Sequence, residues 1–504
     1  MPMDIPAPAA RTPDDGSLGA AAAGAANANS APNGAANGAA ASGGPGIWDG
    51  TSAPAAAVDP LVGEDVSRAR DRLAVAKARS QIQPQRPWRS LRLFWLLLGP
   101  GVLVFIGEND APSMLSYAAT GSTFGIGFFL PFILVTFLAA WIVQEMTSRL
   151  GAVTHRGHAE MIFDRFGPFW GFFSMADLML GNFLTLVTEF IGIRAGLGYF
   201  GVPPLLGVAA AIVFILAVTM TRRYWTWERI LLALALFNGL FVPVALMTHP
   251  HWGAIGKAFL TWSPLPGGLR ANNIMLMMAD IGATVTPWML FFQQGATTDK
   301  GMQPRDVAFG RWDTTIGTIL AAIFGIAVVI ATVPLFAHHI SAANFQGAQF
   351  AQALEPYVGR IGSSLFALGL VEAGLLAAIS ISTSSAYAFG EVMKQAHSLN
   401  RGIKDAWPFY LALLGSAIAA AVIVLIPHAP LEFIVLTVNV IAVLAMPPAL
   451  VFLLLLVNDR EVMGQYINRW PMNVAGVTVT VLLVICGIGY GVTSVFPHLL
   501  GWGG

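Results

Sequence analysis

The chain has 504 residues, of which 56% are hydrophobic and 11% charged, and its mean hydropathy of +0.67 excludes an ordinary soluble domain and predicts an integral membrane protein. Its net charge of +0 gives no bulk electrostatic reason to expect a nucleic-acid partner. The single cysteine, Cys486, excludes an intramolecular disulfide framework and a multi-cysteine metal site.

Residues 1–88 consist mainly of Ala, Gly, Pro, Asn and Ser with scattered charges. Such a composition buries too little apolar surface to offset the entropy of ordering. We expect a disordered N-terminal tail. Because it lacks the basic start and apolar core of a signal peptide, we expect the tail to stay in the cytoplasm. The remaining residues, 89–504, are predicted to form the transmembrane domain.

Apolar stretches of about 20 residues recur after the tail, each long enough to cross a hydrocarbon core of about 30 Å. They predict eleven membrane-spanning helices, which we number as spans 1 to 11: 92–118, 124–149, 167–193, 202–221, 229–248, 272–296, 312–337, 361–393, 407–426, 431–457 and 472–496.

Basic residues predict the orientation. They are concentrated in the connections that follow the even-numbered spans, so the positive-inside rule places the N-terminus in the cytoplasm and the C-terminus outside. We expect a multi-pass protein of a bacterial inner membrane. The basic residues of these connections are Arg149, Arg156 and Arg165; Arg222 and Arg223; Lys300, Arg305 and Arg311; Lys394, Arg401 and Lys404; and Arg460 and Arg469.

Two spans are interrupted by polar residues and proline at mid-depth. Span 1 contains "GENDAPS" and span 6 contains "MMADIGATVTPWML". Broken helices in corresponding positions of two halves indicate an inverted-repeat transporter whose substrate site lies near the bilayer midplane. Because each half has five spans, the two halves face opposite ways.

The interruption of span 1 predicts a cation site. A charged carboxylate at the bilayer centre costs about 2.5 to 3.5 kcal/mol, so Glu108 and Asp110 together require a cavity or a cation. Pro112 frees carbonyls of the preceding turn, including that of Gly107, and Ser113 adds a hydroxyl. Oxygen ligands of this kind suit a hard cation. The alternative is a polar helix end that happens to lie near an interface.

The interruption of span 6 offers further oxygens. Thr284 and Thr286 carry hydroxyls, and Pro287 frees carbonyls near Thr284. Asp280 is a second charge in this span and is a candidate secondary or proton-carrying residue. It could instead lie at the headgroup end of the helix or pair with a distant arginine.

Two other acids lie within apolar helices. Glu189 of span 3 is a candidate proton relay, but Arg194 follows five residues later, so a structural ion pair is an equal alternative. For Glu372 of span 8 a structural role is favoured. The segment "HRGHAE", residues 155–160, has metal-like spacing, but its basic surroundings favour a hydrated connection.

These motifs resemble the Nramp family of proton-coupled divalent-metal transporters. "GPG", eight residues, Asp110 and then "AATGS" are similar to that family's first span, and "QEMTSRLGAVTHRGHAE" to the exit of its second. "GATVTPWMLFF" resembles its sixth-span signature and "VNDREVMG" its tenth-span exit. The resemblance covers about residues 90–495 and implies an all-α, LeuT-type fold of two inverted five-helix repeats with an eleventh helix.

The chain departs from the family pattern at the implied ligands. Asp-Pro-Gly-Asn reads here as Asp110-Ala111-Pro112-Ser113, which keeps the acid and replaces the amide with a hydroxyl. Met-Pro-His-Asn reads as Thr286-Pro287-Trp288-Met289, which removes the thioether and the histidine. A further histidine aligns with Gln293, one acid of span 3 with Leu186, and a glutamine of span 10 with Ala445. Glu108, Asn109 and Asp280 are polar where the family is usually not.

The resemblance and these departures together predict a secondary transporter of divalent cations, not an enzyme. Loss of the thioether and gain of carboxylates harden the site toward Mg²⁺, and loss of both histidines weakens the case for proton symport. The predicted metal ligands are Asp110, Glu108, Ser113, Thr286 and the carbonyls near Gly107 and Thr284. Glu189, Asp280 and Asn109 are secondary or proton-relay candidates, and Trp288 and Met289 line the substrate path.

Two alternatives remain at the sequence level. Trp288 could provide an aromatic face for a small organic cation or amino acid, or the chain could be a non-transporting sensor that signals through its tail. We expect no cofactor and no obligate protein partner; the transported metal ion, protons and the lipid bilayer are the expected partners.

Overall fold

The computed structural model describes Lys77 and residues 94–221, 223–268, 270–340, 345, 347–426 and 431–495. The predicted tail therefore lies outside the described residues, apart from Lys77. Helices account for most of the described chain, as expected for segments that must satisfy every backbone N–H and C=O without water.

Helices occupy all eleven predicted spans. In chain order they are α1 (Pro100–Glu108), α2 (Ala111–Phe124), α3 (Phe129–Thr154), α4 (His158–Phe166), α5 (Pro168–Tyr199), α6 (Pro204–Thr219), α7 (Tyr224–Ala235), α8 (Phe241–Met247), α9 (Trp252–Thr261), α10 (Ala271–Gly282), α11 (Pro287–Asp299), α12 (Val307–Ala337), α13 (Gly347–Val392), α14 (Trp407–Val424), α15 (Leu431–Val457), α16 (Arg460–Met463) and α17 (Trp470–Val495).

Length and hydropathy agree with eleven crossings. Within the described residues, nine helices or merged helix pairs are long and apolar enough to cross a membrane, and α6 is a shorter apolar helix. The remaining crossing, span 1, consists of the short helices α1 and α2. Span 5 also contains a 3-10 turn, Leu236–Leu240, between α7 and α8.

Three local predictions need correction. The segment 155–160 is not simply a hydrated connection, because α4 begins at His158 and the His158 side chain is buried. The connection after span 5 contains an unpredicted helix, α9. Span 8 extends back to Gly347 through a kink at Gly359, whose φ of 67° favours glycine.

Packing places the two broken spans at the centre of the bundle. Span 7, α12, packs along both α1 and α2, and span 3, α5, packs along span 8, α13. Most side chains of α1, α2 and α11 are buried. The interruptions of spans 1 and 6 are therefore enclosed by protein, which is where irregular backbone is tolerated in a membrane.

A polar clasp holds the start of α1, and we call it the α1 clasp. The carboxylate of Asp313, on α12, accepts hydrogen bonds from the backbone N–H groups of Gly99, Gly101 and Val102 at 2.6–3.2 Å. Lys300 donates to the Leu98 carbonyl at 2.6 Å and to Glu228 at 2.8 Å. The first turn of α1 is thus tied to spans 5, 6 and 7.

Candidate cation site

Span 1 breaks between Glu108 and Ala111. Asp110 adopts an extended conformation and caps α2, because its Oδ1 accepts a hydrogen bond from the Ser113 N–H at 2.8 Å. Pro112 lies in the first turn of α2, where a missing N–H leaves no helical bond unmade. The acid and the proline therefore create the break locally, as the sequence predicts.

Three buried carboxyl groups gather around this break. Glu108 ends α1, Asp110 starts α2, and Glu189 reaches the same place from α5, where its Oε2 accepts from the Ala111 N–H at 3.2 Å. This contact brings Glu189 beside Asp110. All three side chains are at most 1% exposed. Three acids buried together need protons or a cation to be tolerated.

Several oxygens at the break have no hydrogen-bond partner in the described part of the chain. They are Oε1 of Glu108, Oε1 of Glu189 and Oγ of Ser113. A fully buried polar atom without a partner is destabilising and needs an explanation. Carboxylate and hydroxyl oxygens are the ligands that hard divalent cations prefer, so this donor set fits such a substrate.

The break of span 6 lies opposite. α10 ends at Gly282 and α11 starts at Pro287. The Thr286 hydroxyl donates to Oε2 of Glu108 at 2.7 Å, so the two breaks meet directly. The Thr284 hydroxyl instead bonds back to the last turn of α10, to the Ile281 carbonyl at 2.9 Å. Tyr117 donates to the Ala283 carbonyl at 3.0 Å.

Trp288 and Met289 are buried at the start of α11. The Trp288 ring packs over Gly107, where an added Cβ would lie 3.3 Å from Cη2. Its carbonyl accepts from the Ser384 hydroxyl at 3.0 Å, and its ring meets Phe292 edge to face at 5.6 Å. Trp288 therefore closes one side of the break and holds α1 against span 8.

Asn109 and Asp280 do not join the carboxyl cluster. The Asn109 amide donates to the Ala321 carbonyl at 2.8 Å and to Asn238 at 3.4 Å. Asp280 accepts from Thr120 at 2.9 Å. Thr120 lies ten residues beyond Asp110 on α2, which corresponds to about 15 Å along a helix. The proposed ligands and Asp280 are thus at different depths.

The Glu189 and Arg194 side chains point to different partners. Arg194 donates to the Val424 carbonyl at 2.8 Å, whereas Glu189 accepts from Ala111. The ion-pair alternative for Glu189 is therefore not the arrangement in the structure. Glu372 accepts a hydrogen bond from Asn238 at 3.3 Å.

Sequence reasoning missed Asn238. The 3-10 turn of span 5 presents its amide to the Asn109 carbonyl at 3.1 Å and to Glu372. This amide therefore joins spans 1, 5 and 8 at the depth of the break. Its signal was a single asparagine within the apolar run "LALALFNGLFVPVAL", a position where an unpaired amide would be costly.

A cavity of about 480 Å³ lies at the end of the bundle that carries the basic connections. Its lining includes Glu160, Asp299, Glu391, Lys394 and Arg401, which come from the regions after spans 2, 6 and 8. Glu391 accepts from the Ala159 N–H at 3.0 Å and caps α4.

His158 marks the start of α4 next to this region. It is paired with Gln294 at 2.9 Å, and burial lowers its pKa to about 4. Among the described residues, no group of three or more His, Cys, Asp and Glu side chains is arranged to hold a metal ion. A cation at the break would therefore combine carboxylates with hydroxyl and carbonyl oxygens.

The helix arrangement and the buried acids together indicate which class of membrane protein this is. In the described part of the chain, helices occupy all eleven predicted crossings, and spans 1 and 6 are broken beside buried acids. This arrangement is that of a multi-pass membrane transporter of the LeuT type, with two five-helix repeats and an eleventh helix. The expected all-α fold is confirmed.

Comparison with known proteins places the chain within that class. Residues 101–493 match the family model "Natural resistance-associated macrophage protein-like". The chain belongs to this family, the Nramp family, as its motifs indicated, and is not an enzyme.

Named relatives are similar over most of their length. The divalent metal cation transporter MntH of Aeromonas hydrophila is 27% identical over 79% of this chain and 95% of that protein. MntH of Listeria welshimeri is 24% identical over 84% of this chain and 95% of that protein. A manganese transporter of Eremococcus coleocola has a similar structure, with a TM-score of 0.65 and 19% identity over 83% of this chain and 90% of that one.

Proposed function

We propose that this chain is a secondary transporter that moves a divalent cation by alternating access, and that the cation binds between the breaks of spans 1 and 6. The observation that carries the proposal is the buried cluster of Glu108, Asp110 and Glu189, with two carboxylate oxygens unpartnered within the described residues. The printed names of the relatives support the same substrate class.

Asp110 is the principal anionic ligand in this proposal. It belongs to the segment that matches the family motif, and its Oδ1 already holds the first turn of α2, so its position is fixed before any cation arrives. Glu108 and Ser113 from the same break, and Thr286 from the facing break of span 6, supply the remaining side-chain oxygens. Carbonyls near Gly107 and Thr284 complete the shell.

The preferred cation in this proposal is Mg²⁺ or another hard ion. The site offers carboxylate and hydroxyl oxygens, and Thr286 stands where the family has a thioether. A thioether favours softer transition metals, and its replacement by oxygen removes that preference. Glu189, beside Asp110, is the candidate carrier of any coupled proton.

The orientation proposal follows the basic connections. Residues from the connections after spans 2, 6 and 8 line one cavity, and Asn400 accepts from the backbone N–H of Tyr224, which follows the connection after span 4. These connections therefore meet at one end of the bundle, which we assign to the cytoplasm of a bacterial cell. The N-terminal tail would then be cytoplasmic.

The test is flux into proteoliposomes with Mg²⁺, Mn²⁺ and Ca²⁺. We expect saturable Mg²⁺ uptake that Asp110→Ala abolishes. Asp177→Asn is the matched control, because Asp177 is a half-buried acid on α5 outside the site. Uptake of none of the three ions, with Asp110→Ala indistinguishable from the parent protein, would contradict the proposal.

Tight Cd²⁺ binding would contradict the hard-ion preference. Uptake that survives deletion of residues 1–85 would exclude a purely tail-mediated sensor.

A further inference from the structure

Asp280 is a buried acid outside the proposed cation site between the breaks of spans 1 and 6, which we call the deep site. It lies near the end of α10, is fully buried, and its Oδ2 accepts a hydrogen bond from the Thr120 hydroxyl at 2.9 Å. Its other oxygen, Oδ1, has no hydrogen-bond partner in the described part of the chain. A single hydrogen bond from a hydroxyl offsets only part of the desolvation cost of a buried carboxyl group.

Polar groups of α2 and α15 lie close to the last turn of α10, which carries Asp280. Ser116 and Thr120 are four residues apart on α2 and therefore lie on the same helix face. Ser116 accepts from the Asn439 amide, on α15, at 3.0 Å, and Tyr117 places its hydroxyl on the Ala283 carbonyl. Spans 1, 6 and 10 thus bring hydroxyl, amide and carboxyl groups together within about one helical turn of one another, between Ser116 and Thr120 on α2.

These spans are in close contact around the acid. A Cβ on Gly282 would overlap the Asn439 carbonyl, so α10 and α15 approach as closely as a glycine allows. In an alternating-access transporter, contacts of this kind on one side of the midplane separate when that side opens. Asp280, Thr120 and Ser116 would then face the water-filled path that leads to the deep site.

We propose that Asp280 and Thr120, with Ser116 one helical turn nearer the break, form a second, outer cation site on the access path. Along α2, Thr120 lies about 15 Å and Ser116 about 9 Å from Asp110. The inference rests on the proposed function and adds a second binding position for the same substrate. Its ligands are oxygens, so it takes a divalent cation such as Mg²⁺, which binds few protein oxygens and keeps several waters. The single carboxylate makes it weaker than the deep site.

Direct Mg²⁺ binding to the full-length protein in detergent tests this site. Isothermal titration should show that Asp110→Asn removes the tighter binding and leaves a weaker saturable site. Adding Asp280→Asn should weaken that residual binding at least about tenfold, because an amide cannot replace a charged ligand. Asp110→Asn with Asp177→Asn is the matched control and should keep the residual site.

A second, milder variant distinguishes the loss of a ligand from misfolding of the protein. Thr120→Val in the Asp110→Asn background keeps the carboxylate and removes one ligand, and should weaken the residual site about threefold to tenfold. Unchanged residual affinity in both the Asp280 and the Thr120 variants would overturn the outer site. So would the loss of all saturable binding on Asp110→Asn alone.

The two proposals fail in different ways. If the parent protein binds and transports Mg²⁺ and Asp110→Asn abolishes transport, but Asp280→Asn changes no binding constant, only the outer site is refuted. If the parent protein neither binds nor transports any divalent cation, the proposed function fails first and the outer site fails with it.

Discussion

The two helix breaks differ in how their polar groups are used. At the break of span 1, Oε1 of Glu108 and the hydroxyl of Ser113 are unpartnered within the described residues. At the break of span 6, the hydroxyls of Thr284 and Thr286 already bond to Ile281 and Glu108. The break of span 1 thus has oxygens without partners among the described residues. The break of span 6 orients the Glu108 carboxylate through the Thr286 hydroxyl.

The two spans therefore have different proposed roles: span 1 provides the cation ligands, and span 6 orients one of them. The carboxylates proposed to bind a cation come from span 1, and Glu189 of span 3 lies beside them as the candidate proton carrier. Span 6 orients Glu108 through Thr286. In an inverted repeat the two breaks correspond by symmetry, but their residues have diverged in role. Single substitutions in each span test this difference in role.

The largest effect is expected from Asp110→Asn. The amide keeps the size of the side chain but loses the charge that a divalent cation requires. We expect the rate of Mg²⁺ uptake into proteoliposomes to fall at least about 100-fold, equivalent to about 2.7 kcal/mol. Retention of more than a tenth of the parent rate, with Asp177→Asn as the control, would contradict the assignment.

Glu108→Gln should change selectivity as well as affinity. The motif resemblance predicts that Glu108 stands where the family is usually not polar, and a carboxylate favours hard cations. We expect the KM for Mg²⁺ to rise about tenfold, and the KM for Mn²⁺ to rise less, when both ions are measured in the same proteoliposomes. Equal changes for the two ions would show that Glu108 does not contribute to selectivity.

Thr286→Val should have a smaller effect on KM. The substitution removes the hydrogen bond that orients Glu108, which is 2.7 Å long, and leaves both carboxylates in place. We expect the KM for Mg²⁺ to rise about fivefold. Thr318→Val is the control, because the Thr318 hydroxyl bonds only within its own helix, to Thr314. Equal behaviour of the two variants would argue against an orienting role for span 6.

Asn238→Ala tests the support behind the first break. Its amide donates to the Asn109 carbonyl and to Glu372, so truncation leaves two buried acceptors with fewer partners. We expect a loss of about 2 kcal/mol of stability, seen as a lower thermal midpoint in detergent, with KM changed less than in Thr286→Val. An unchanged midpoint would show that the network is not a structural support.

His158 should have the smallest effect on transport. Its folded-state pKa of about 4 lies below the ordinary value of 6.5, so the residue stays neutral between pH 5.5 and 8. We expect His158→Asn to leave the pH profile of uptake unchanged in that range. Because the unfolded chain binds the proton more readily, stability should fall as the pH drops from 6.5 to 4. That fall, measured as the thermal midpoint, should be smaller in the variant.

The fold was accessible from the sequence because its signals are local. A proline and acids inside an apolar run mark the break at Asp110, and apolar stretches of sufficient length mark the spans. The contact of Glu189 with Ala111 was not accessible, because it joins residues 78 positions apart and the five-residue spacing to Arg194 suggested a nearer partner.

Depth was the weakest part of the sequence interpretation. Asn109 and Asp280 were predicted as secondary or proton-relay residues of the same site because each lies within a broken span. Asn109 instead faces spans 5 and 7, and Asp280 lies about three turns away from the carboxyl cluster. Residues adjacent in sequence at a helix break can face opposite sides, so a polar triplet does not predict a shared site.

The α1 clasp bears on how long the protein dwells in one conformation. Movement of α1 away from spans 5, 6 and 7 would leave the Asp313 carboxylate without the three N–H groups it now accepts from, and Lys300 without the Leu98 carbonyl. Both charges must then be hydrated before the end of α1 is free. We therefore expect water access to that end of the bundle to contribute to the barrier for moving α1.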